Sequence, residues 1–420
     1  MSDVRVLDDA PWLTSGPAAK VLALLNGDGE EARVIGGAVR NTLMRVPVGD
    51  LDIATTALPD EVVRRAKAVG IKSVPTGIEH GTVTLVVDGH PFEVTTLRED
   101  VETFGRKAKV AFGRDWARDA ERRDFTINGL SVSADGVVHD HVGGLIDVER
   151  RRVRFIGDPD RRIAEDYLRV LRFFRIHAAY GAGEPDRDGY LACIRGRIGL
   201  AGLSAERVRM EMLKLLVAEG ALAAVVAMVD GGLLLQIFGG VPYTGPLAAM
   251  IAAEAALGRR PDAVLRLGAL GVAVTEDAKR LAQRLRLTNA EAKALDSMGH
   301  RWWRLAGMDE AIARRRLYRL GVDRYRNRMM LAWTRAGLGA DPQPWRTLVT
   351  LPDRWQAPVF PLKAADFMAR GIAKGPGLGH VIALAEDAWL AQDFPLEPEA
   401  VQAIADQIVA RFGSEQRSGD

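Results

Sequence analysis

The sequence predicts an α+β fold, in which a region of mixed strands and helices is followed by helices alone. Up to about residue 150, short β-rich runs alternate with turns and a few helical segments, which is the pattern of an α+β domain. Beyond that point β-rich runs nearly vanish and apolar residues recur at helical spacing, as in residues 205–218 and 276–285. We therefore expect a strand-containing domain and a long helical remainder.

The composition is that of a soluble protein. A chain of 420 residues with 48% hydrophobic residues can bury a large core and is expected to form roughly two to four domains. Its single cysteine, Cys193, excludes an intramolecular disulfide. The sequence has neither an apolar run of transmembrane length nor a secretory signal, so we expect a cytoplasmic protein without a membrane partner.

Charge is distributed unevenly, although the net charge is only +2. Residues 301–350 contain 11 arginines against 4 acidic residues, interleaved with tryptophans and tyrosines, whereas residues 386–420 contain 2 basic and 8 acidic residues. This asymmetry favours an RNA-facing surface in residues 301–350. A coding bias toward arginine (47 Arg, 10 Lys) could also produce it, and the aromatic residues could instead form core.

Residues 36–52, GGAVRNTLMRVPVGDLD, are the most informative stretch. After an expected strand at residues 32–35, Gly36 and Gly37 would permit a tight turn and close approach to a ligand, and residues 38–44 contain good helix formers. On a strand, Asp50 and Asp52 would project from the same side. Such a pair can hold Mg²⁺ together with substrate phosphates. The alternative is a solvated strand end beside an ordinary turn.

The two motifs GGAVR and GDLDI, in this order, resemble the signature of the polymerase-beta-like nucleotidyltransferases, in the branch of the CCA-adding enzymes and bacterial poly(A) polymerases. The resemblance implies a mixed-sheet head with helices and an all-α neck, body and tail. It assigns Gly36, Gly37 and Arg40 to nucleotide binding. The domains implied are the head at 1–147, the neck at 148–220, the body at 221–300 and the tail, with tRNA binding, at 301–420.

A third carboxylate is expected on a neighbouring strand. Residues 90–97, HPFEVTTL, are β-rich and carry Glu93, and in the family such a run follows a motif like HGTVT, here residues 80–84. Glu93 is therefore the third catalytic candidate, and Glu79 is the weaker substitute because it precedes the strand. The alternative for Glu93 is a cross-strand salt bridge.

Residues 121–130, ERRDFTINGL, resemble the family's RRDFTINA box. The resemblance implies that Arg123 contacts the phosphates or sugar of the nucleotide, that Asp124 fixes the local fold or the ribose, and that Asn128 belongs to the same site. Arginine suits this role because its planar fork binds phosphate oxygens bidentately. A charged surface is the alternative.

Residues 162–175, RIAEDYLRVLRFFR, resemble the family's E-D-x-L-R-x-L-R-x-x-R-F helix. On a straight helix Asp166 and Arg169 lie about 60° apart. The resemblance implies that this pair reads the Watson–Crick edge of C or A and refuses G and U. Arg172 and Arg175 are expected at the nucleotide too, although a straight helix cannot direct all four side chains into one pocket. Ordinary i,i+4 ion pairs are the alternative.

Two further segments carry expectations about local structure. Residues 98–118 are expected to form a mobile loop. Residues 139–158 match the family's D-x-x-G-G-x-x-D-L hairpin, with Val148 in place of leucine. His139 and Asp140 are not read as a phosphohydrolase metal site, because no further histidine cluster completes one.

The chain departs from the family pattern at two positions. Asn41 stands where the family usually has aspartate after G-G-x-V-R, and Gly129 stands where RRDFTINA has alanine. Neither is an expected metal ligand. Asn41 does remove a charge that could support Arg40 or the metal site.

The function implied is template-independent addition or repair of the 3′-terminal CCA of tRNA from CTP and ATP, with release of pyrophosphate. Two Mg²⁺ ions, or Mn²⁺, would be held by Asp50 and Asp52, and the partner would be the tRNA 3′ end with its acceptor and T arms, not DNA. A poly(A) polymerase, a CC-only enzyme or an A-only enzyme is the near alternative, although no basic G-[RK]-[RK]-F element is present. A non-catalytic RNA-binding protein is the alternative from another class.

Overall fold

The computed structural model describes residues 5–7, 10–77, 81–104, 107–305, 308–336 and 342–417. The chain divides into two compact units, one formed by Met1–Pro242 with Arg284–Arg286 and the other by Tyr243–Gln283 with Leu287–Asp420. All strands of the described residues lie in the first unit and precede a long helical remainder. The predicted α+β fold with a mixed sheet is therefore confirmed. The finer division into neck, body and tail stays a prediction.

Seven strands form the main sheet in the order β3-β4-β5-β2-β1-β8-β9, and two form a separate hairpin. Their bounds are β1 (Ala32–Ile35), β2 (Asp52–Thr55), β3 (Lys72–Gly77), β4 (Thr82–Val87), β5 (His90–Thr96), β6 (Arg98–Phe104), β7 (Lys107–Phe112), β8 (Ser131–Val132) and β9 (Val138–His139). Strands β2 and β5 are parallel, and the remaining paired neighbours are antiparallel.

Helices of the first unit cover the sheet and continue beyond it. Their bounds are α1 (Pro11–Thr14), α2 (Pro17–Leu25), α3 (Gly37–Leu43), α4 (Pro59–Ala68), α5 (Trp116–Glu121), α6 (Gly144–Glu149), α7 (Pro159–Glu165), α8 (Leu168–Tyr180), α9 (Arg187–Gly196), α10 (Ala205–Leu216), α11 (Ala221–Asp230) and α12 (Leu233–Phe238). Short 3₁₀ turns occupy Thr126–Asn128 and Arg197–Gly202.

Helices after residue 242 are α13 (Thr244–Ala256), α14 (Ala263–Gly271), α15 (Thr275–Arg284), α16 (Asn289–Gly299), α17 (Glu310–Leu320), α18 (Val322–Arg335), α19 (Pro342–Val349), α20 (Leu351–Arg354), α21 (Ala364–Met368), α22 (Pro376–Ala391) and α23 (Pro398–Arg417). A 3₁₀ turn covers Trp302–Arg304. No helix of the described residues is long and apolar enough to cross a membrane.

The sheet core follows from simple alternation. In β4, Val83, Leu85 and Val87 are buried while the threonines and valine between them are less so, because successive side chains point to opposite faces. Helix α2 presents Leu22 and Leu25, which are also buried, and packs against β4. Burying these apolar side chains fixes the sheet and therefore the ends of its strands.

Register places three predicted site segments side by side. Ile35, the last residue of β1, pairs with Asp52, the first residue of β2, so the Gly36–Gly37 turn lies next to Asp52. The parallel pairing of Ile53 with Val94 brings Glu93 on β5 to the same region. The site therefore forms where the central strands meet.

Two local expectations differ from the structure. Residues 98–104 and 107–112 form the paired strands β6 and β7 instead of a loop, and helix α5 follows with Asp115 accepting a hydrogen bond from the Ala117 N–H at 2.9 Å. The segment after β9 is helix α6, not a hairpin, although β8 and β9 do form a hairpin before it. The Asp140 carboxylate accepts from the N–H groups of Gly144 and Leu145, both at 2.9 Å, and so begins α6. Asp140 thus has a structural role.

Three of the six aromatic residues of 301–350 pack into the core of the second unit, whereas Trp303 is 51% exposed. Tyr325 is fully buried and its hydroxyl donates to the Leu348 carbonyl at 2.9 Å, while Trp345 is also buried. Tyr318 packs against the cluster that contains Phe367 and Trp389. These three aromatic residues therefore belong to the core, and RNA contact by this segment stays a prediction.

Candidate active site

A cavity of about 680 Å³ in the first unit gathers the predicted site residues. Glu93 is the exception, since it does not line the cavity. The lining residues are Gly36, Gly37, Ala38, Arg40, Asn41, Gly49, Asp50, Asp52, Arg123, Asp124, Asn128, Asp166, Leu168, Arg169, Arg172, Arg175, Ile176, Tyr180 and Arg207. Segments separated by more than a hundred residues thus meet in one place, while the role of each side chain stays a prediction.

The two aspartates meet at the cavity, but only one is on a strand. Asp52 is the first residue of β2, and Asp50 lies two residues before it, outside the strand. Partial burial together with the negative charges of Glu93 and Asp50 raises the pKa of Asp52, against the opposing effect of Arg123. Glu93 therefore acts on Asp52 electrostatically from β5. Glu79, the substitute candidate, lies outside the described residues.

The donor set fits a divalent cation bound together with a substrate. Among the described residues, no group of three or more acidic, histidine or cysteine side chains is arranged to hold a metal ion by itself. Mg²⁺ is usually held by one or two carboxylates plus substrate phosphates, so Asp50 and Asp52 are enough protein ligands. Burial first, and then the charges of Glu93 and Asp50, raise the pKa of Asp52, and a cation bound there would favour its charged form.

The glycine pair allows neighbouring groups to approach the backbone closely. Gly36 has φ 69° and ψ −121°, a conformation that side-chain-bearing residues rarely adopt, and its N–H donates to the Leu130 carbonyl at 2.9 Å. A Cβ there would lie 3.6 Å from the Asn128 carbonyl oxygen and 3.7 Å from Arg123 Nη1. At Gly37 it would lie 3.5 Å from Arg40 Nη2. The motif therefore places two arginines against the turn.

A hydrogen-bonded chain joins α3, the RRDFTING segment and α8. Arg40 Nη1 donates to Asn128 Oδ1, and Asn128 Nδ2 donates to Asp124 Oδ1 at 3.2 Å. Asp124 Oδ2 accepts from Arg172 through Nε at 2.7 Å and through Nη2. Burial would raise the pKa of Asp124, but Arg172 outweighs it and the pKa is lowered. Asp124 is therefore ionised and holds Arg172 in place.

The expected helix over residues 162–175 is broken at Asp166, so the angles worked out for a straight helix were wrong. Helix α7 ends at Glu165, Asp166 is extended with φ −153° and ψ 106°, and α8 begins at Leu168. The Asp166 carboxylate accepts from the Leu168 N–H at 3.0 Å, which satisfies a donor of the first turn of α8. This break lets Asp166 line the same cavity as the three arginines of α8.

The side chains of Asp166 and Arg169 are held by neighbouring residues, although the Arg169 backbone N–H donates to the Asp166 carbonyl at 3.0 Å. Arg169 Nη1 donates to Glu165 Oε2 at 2.6 Å and to the Arg162 carbonyl at 2.7 Å. Arg207 Nη2 donates to Asp166 Oδ2 at 2.6 Å. Each member of the predicted base-reading pair is therefore oriented before any ligand binds.

Three residues that the sequence reasoning missed belong to this site. Arg207 and Glu211, one turn apart on α10, hold Asp166 and Arg175 respectively. Glu211 is only 5% exposed, and a charged pair four residues apart in an amphipathic helix was the available signal. Tyr180, at the end of α8, stacks under the Arg40 guanidinium at 3.6 Å from the ring centroid.

Comparison with known proteins identifies the family. Residues 32–154 match the model of the poly A polymerase head domain, and residues 198–244 match the model of the probable RNA and SrmB-binding site of polymerase A. Mouse mitochondrial CCA tRNA nucleotidyltransferase 1 is 31% identical over 377 residues, which cover 89% of this chain and 86% of the mouse protein. The chain belongs to the family of CCA-adding enzymes. It is therefore a nucleotidyltransferase.

Further CCA-adding enzymes agree in sequence and in fold. The enzyme of Limosilactobacillus fermentum is 31% identical over 385 residues, which cover 87% of this chain and 90% of that protein. The Bacillus stearothermophilus CCA-adding enzyme in complex with CTP has a TM-score of 0.73 at 25% identity, covering 95% of this chain and 98% of that one. The Thermotoga maritima enzyme complexed with tRNA_CCA, at 19% identity and a TM-score of 0.71, shares the fold over 98% of this chain and 100% of that one.

Proposed function

We propose that this CCA-adding family member adds or repairs the 3′-terminal CCA of tRNA, takes CTP and ATP as substrates and releases pyrophosphate. The observation that carries the proposal is the single cavity in which Asp50 and Asp52 face six arginines. Two carboxylates suit a cation, and the arginines suit a triphosphate. Solved relatives include complexes with CTP, with ATP and with tRNA_CCA.

Recognition of the base would fall to Asp166 and Arg169. A carboxylate accepts from the exocyclic amine that C and A share, and arginine donates to ring acceptors. Asp166 Oδ1 already accepts from the Leu168 N–H and from Arg207 Nη1, whereas Oδ2 accepts only from Arg207 Nη2 and can accept a second hydrogen bond from a base. Arg169 binds Glu165 and the Arg162 carbonyl through Nη1, so Nη2 of its guanidinium can donate to a ligand. G and U lack an amine at the matching position and would leave Asp166 unpaired.

The chain's own residues would bind and align the triphosphate. Gly36 and Gly37 bring the backbone close, and Arg40 and Arg123 supply positive charge beside that turn. Mg²⁺ held by Asp50 and Asp52 would supply charge neutralisation for the attacking and leaving oxygens. The RNA 3′-hydroxyl would then attack the α-phosphate in line, forming the new phosphodiester bond and breaking the bond to pyrophosphate.

The experiment uses purified protein and tRNA ending before the first C of the CCA, after that C and after the second C, with each nucleotide alone or in pairs. Sequential addition of C, C and A, followed by a stop, is expected. A product that stops at CC would identify a CC-only enzyme. Extension only of tRNA that already ends in CC would identify an A-only enzyme, and a ladder of added A residues would identify a poly(A) polymerase.

Substitution and chelation test the carboxylates. Asp50→Ala combined with Asp52→Ala is expected to abolish CMP incorporation, whereas Asp60→Ala, an exposed carboxylate on α4 outside the cavity, should leave it unchanged. EDTA is expected to stop incorporation, and added Mg²⁺ to restore it. A double variant that still incorporates CMP would overturn the mechanism.

Contact with tRNA by the second unit is part of the proposal. A cavity of about 390 Å³ there is lined by Lys279, Lys293, Arg324 and Arg328, with Asp296 as its acidic member. Burial and repulsion from nearby arginines, including Arg324, lower the pKa of Arg328 against the opposing effect of Asp296, as expected where cations outnumber anions. This supports a phosphate contact. Arg324→Gln should raise the KM for tRNA and reduce the salt slope of tRNA binding by about 1, without changing the KM for CTP.

A further inference from the structure

Five of the six arginines that line the active-site cavity each form an ion pair with a carboxylate, although Asp119 is shared with Arg122 and Glu165 with Arg162. The pairs are Arg123–Asp119, Arg169–Glu165, Arg172–Asp124, Arg175–Glu211 and Arg207–Asp166. Arg40 differs from them: within the described part of the chain it forms no ion pair, although it is only 5% exposed. Arg40 therefore has no directly bonded counter-ion among the described residues, and the nearby Asp124 carboxylate pairs with Arg172 instead.

The partners of Arg40 are neutral. Asn41 Oδ1 accepts from Arg40 Nε at 3.1 Å and from Nη2 at 2.8 Å, and Asn128 Oδ1 accepts from Nη1. The third contact is the ring of Tyr180. Burial, together with repulsion from Arg175, lowers the pKa of Arg40, and the opposing effects of Tyr180 and Asp124 do not restore it.

The orientation of the Asn41 amide is fixed by both of its neighbours. Arg40 has only donors, so the amide oxygen must face it, and the amide nitrogen then donates to the Pro47 carbonyl at 2.8 Å. The Asn41 carbonyl also accepts from the Val46 N–H at 3.0 Å. Aspartate could accept from Arg40 but could not donate to Pro47. Asparagine thus ties α3 to the loop that leads to Asp50 without adding a charge.

We propose that Asn41 is a positioning residue which leaves Arg40 as an uncompensated cation, so that the triphosphate of the incoming nucleotide becomes its counter-ion. The inference rests on the proposed nucleotide site but not on CCA addition itself. Aspartate at position 41 would neutralise Arg40 in the free protein and would add negative charge to a cavity that already holds Asp50 and Asp52. The nucleotide would then meet less positive charge.

Two variants separate charge from packing. Asn41→Asp and Asn41→Ala both lose the bond to Pro47, but only the aspartate retains an acceptor for Arg40 and only the aspartate adds a charge. If Asn41 acts through charge, Asn41→Asp binds CTP and ATP about tenfold more weakly than wild type, and more weakly than Asn41→Ala. If Asn41 served only to pack Arg40 in place, Asn41→Ala would bind CTP and ATP more weakly than Asn41→Asp.

The measurement is equilibrium binding of CTP and of ATP to the full chain without tRNA, at several salt concentrations, with Mg²⁺ and with EDTA. The gap between Asn41→Asp and Asn41→Ala should narrow as salt rises, because screening weakens charge effects. Thermal melting checks the fold. Should Asn41→Asp fail to fold, Asn41→Ala still tests the proposal, since binding more than about threefold weaker than wild type would show that Asn41 acts by packing Arg40 and not through charge.

Binding weaker in Asn41→Ala than in Asn41→Asp, or equal in all three proteins, would overturn the proposal. Failure of wild-type protein to extend tRNA would instead overturn CCA addition, and it would leave the nucleotide-binding comparison intact. The two failures are therefore distinguishable.

Discussion

Arg207 offers a sharp test of how the base-reading pair is positioned. Its guanidinium donates to both oxygens of Asp166, at 2.6 Å and 3.4 Å, across 41 residues of sequence. Removing it by Arg207→Gln should free the Asp166 carboxylate to rotate away from the nucleotide. We expect a lower kcat/KM for CTP and ATP and more frequent incorporation of G or U, while the fold is retained.

The expected loss in activity is that of the hydrogen bond from the base to Asp166. A hydrogen bond to a charged group contributes roughly 1.5–3 kcal/mol, so losing it corresponds to a decrease of about 10- to 100-fold in kcat/KM. The side chains of Arg207 and Asp166 are 25% and 32% exposed, so the pair should add less than about 1 kcal/mol to the free energy of unfolding. The kcat/KM of Arg207→Lys should lie between those of wild type and Arg207→Gln, because lysine is a point charge without the planar fork of arginine.

The assay measures single-nucleotide incorporation into tRNA ending before the CCA, with each of the four nucleotides, alongside urea denaturation. Lys214→Gln is the matched control, since Lys214 is an exposed cation on the same helix that does not line the cavity. If Arg207→Gln kept wild-type kcat/KM and wild-type discrimination, the idea that Arg207 orients Asp166 would be wrong.

Two further carboxylates give predictions of opposite sign. Asp52→Asn should lower incorporation at least about 100-fold yet raise the melting temperature at neutral pH. Partial burial and the charges of Glu93 and Asp50 raise the pKa of Asp52 in the folded protein. The ionised carboxylate therefore destabilises the fold, and this destabilisation develops as the pH rises from the ordinary pKa to the raised one. The difference in melting temperature between Asp52→Asn and wild type should vanish in acid, where Asp52 is protonated. Asp124→Asn should instead cost roughly 1–3 kcal/mol of unfolding free energy in urea at neutral pH, because it leaves Arg172 without its carboxylate. Arg172 outweighs the effect of burial and lowers the pKa of Asp124. The stability cost of Asp124→Asn should therefore disappear only at a pH below the ordinary pKa of an aspartate, where Asp124 becomes protonated in the folded protein.

Local features of the fold were predictable because short-range chemistry determines them. The strand at residues 32–35 and the helix that follows the two glycines lie where the sequence places them. Gly36 adopts a positive φ that a side chain would disfavour, so the turn is encoded by the residue itself. The pairing of β1 with β2 then brings Asp52 beside that turn.

The break between α7 and α8 was not predictable from local pattern. Residues 162–175 have helix-compatible spacing throughout, and Asp166 occupies an ordinary helical position in the sequence. What favours the extended conformation is a pair of contacts: the Asp166 carboxylate accepts from the Leu168 N–H and from Arg207. The second partner lies on α10, so a local window does not contain it.

Partners that are distant in sequence also allow an arginine-rich cavity to exist in a stable fold. Arg172 is matched by Asp124 at a separation of 48 residues, Arg175 by Glu211 at 36, and Arg207 by Asp166 at 41. Each carboxylate compensates one guanidinium, because leaving several like charges half-buried and unpaired would cost several kcal/mol apiece. Pairing each arginine with a carboxylate also neutralises the positive charge that attracts a triphosphate. A site that pairs every arginine would hold its shape but attract the nucleotide weakly, so the neutral partners of Arg40 resolve a conflict between folding and binding at a single position.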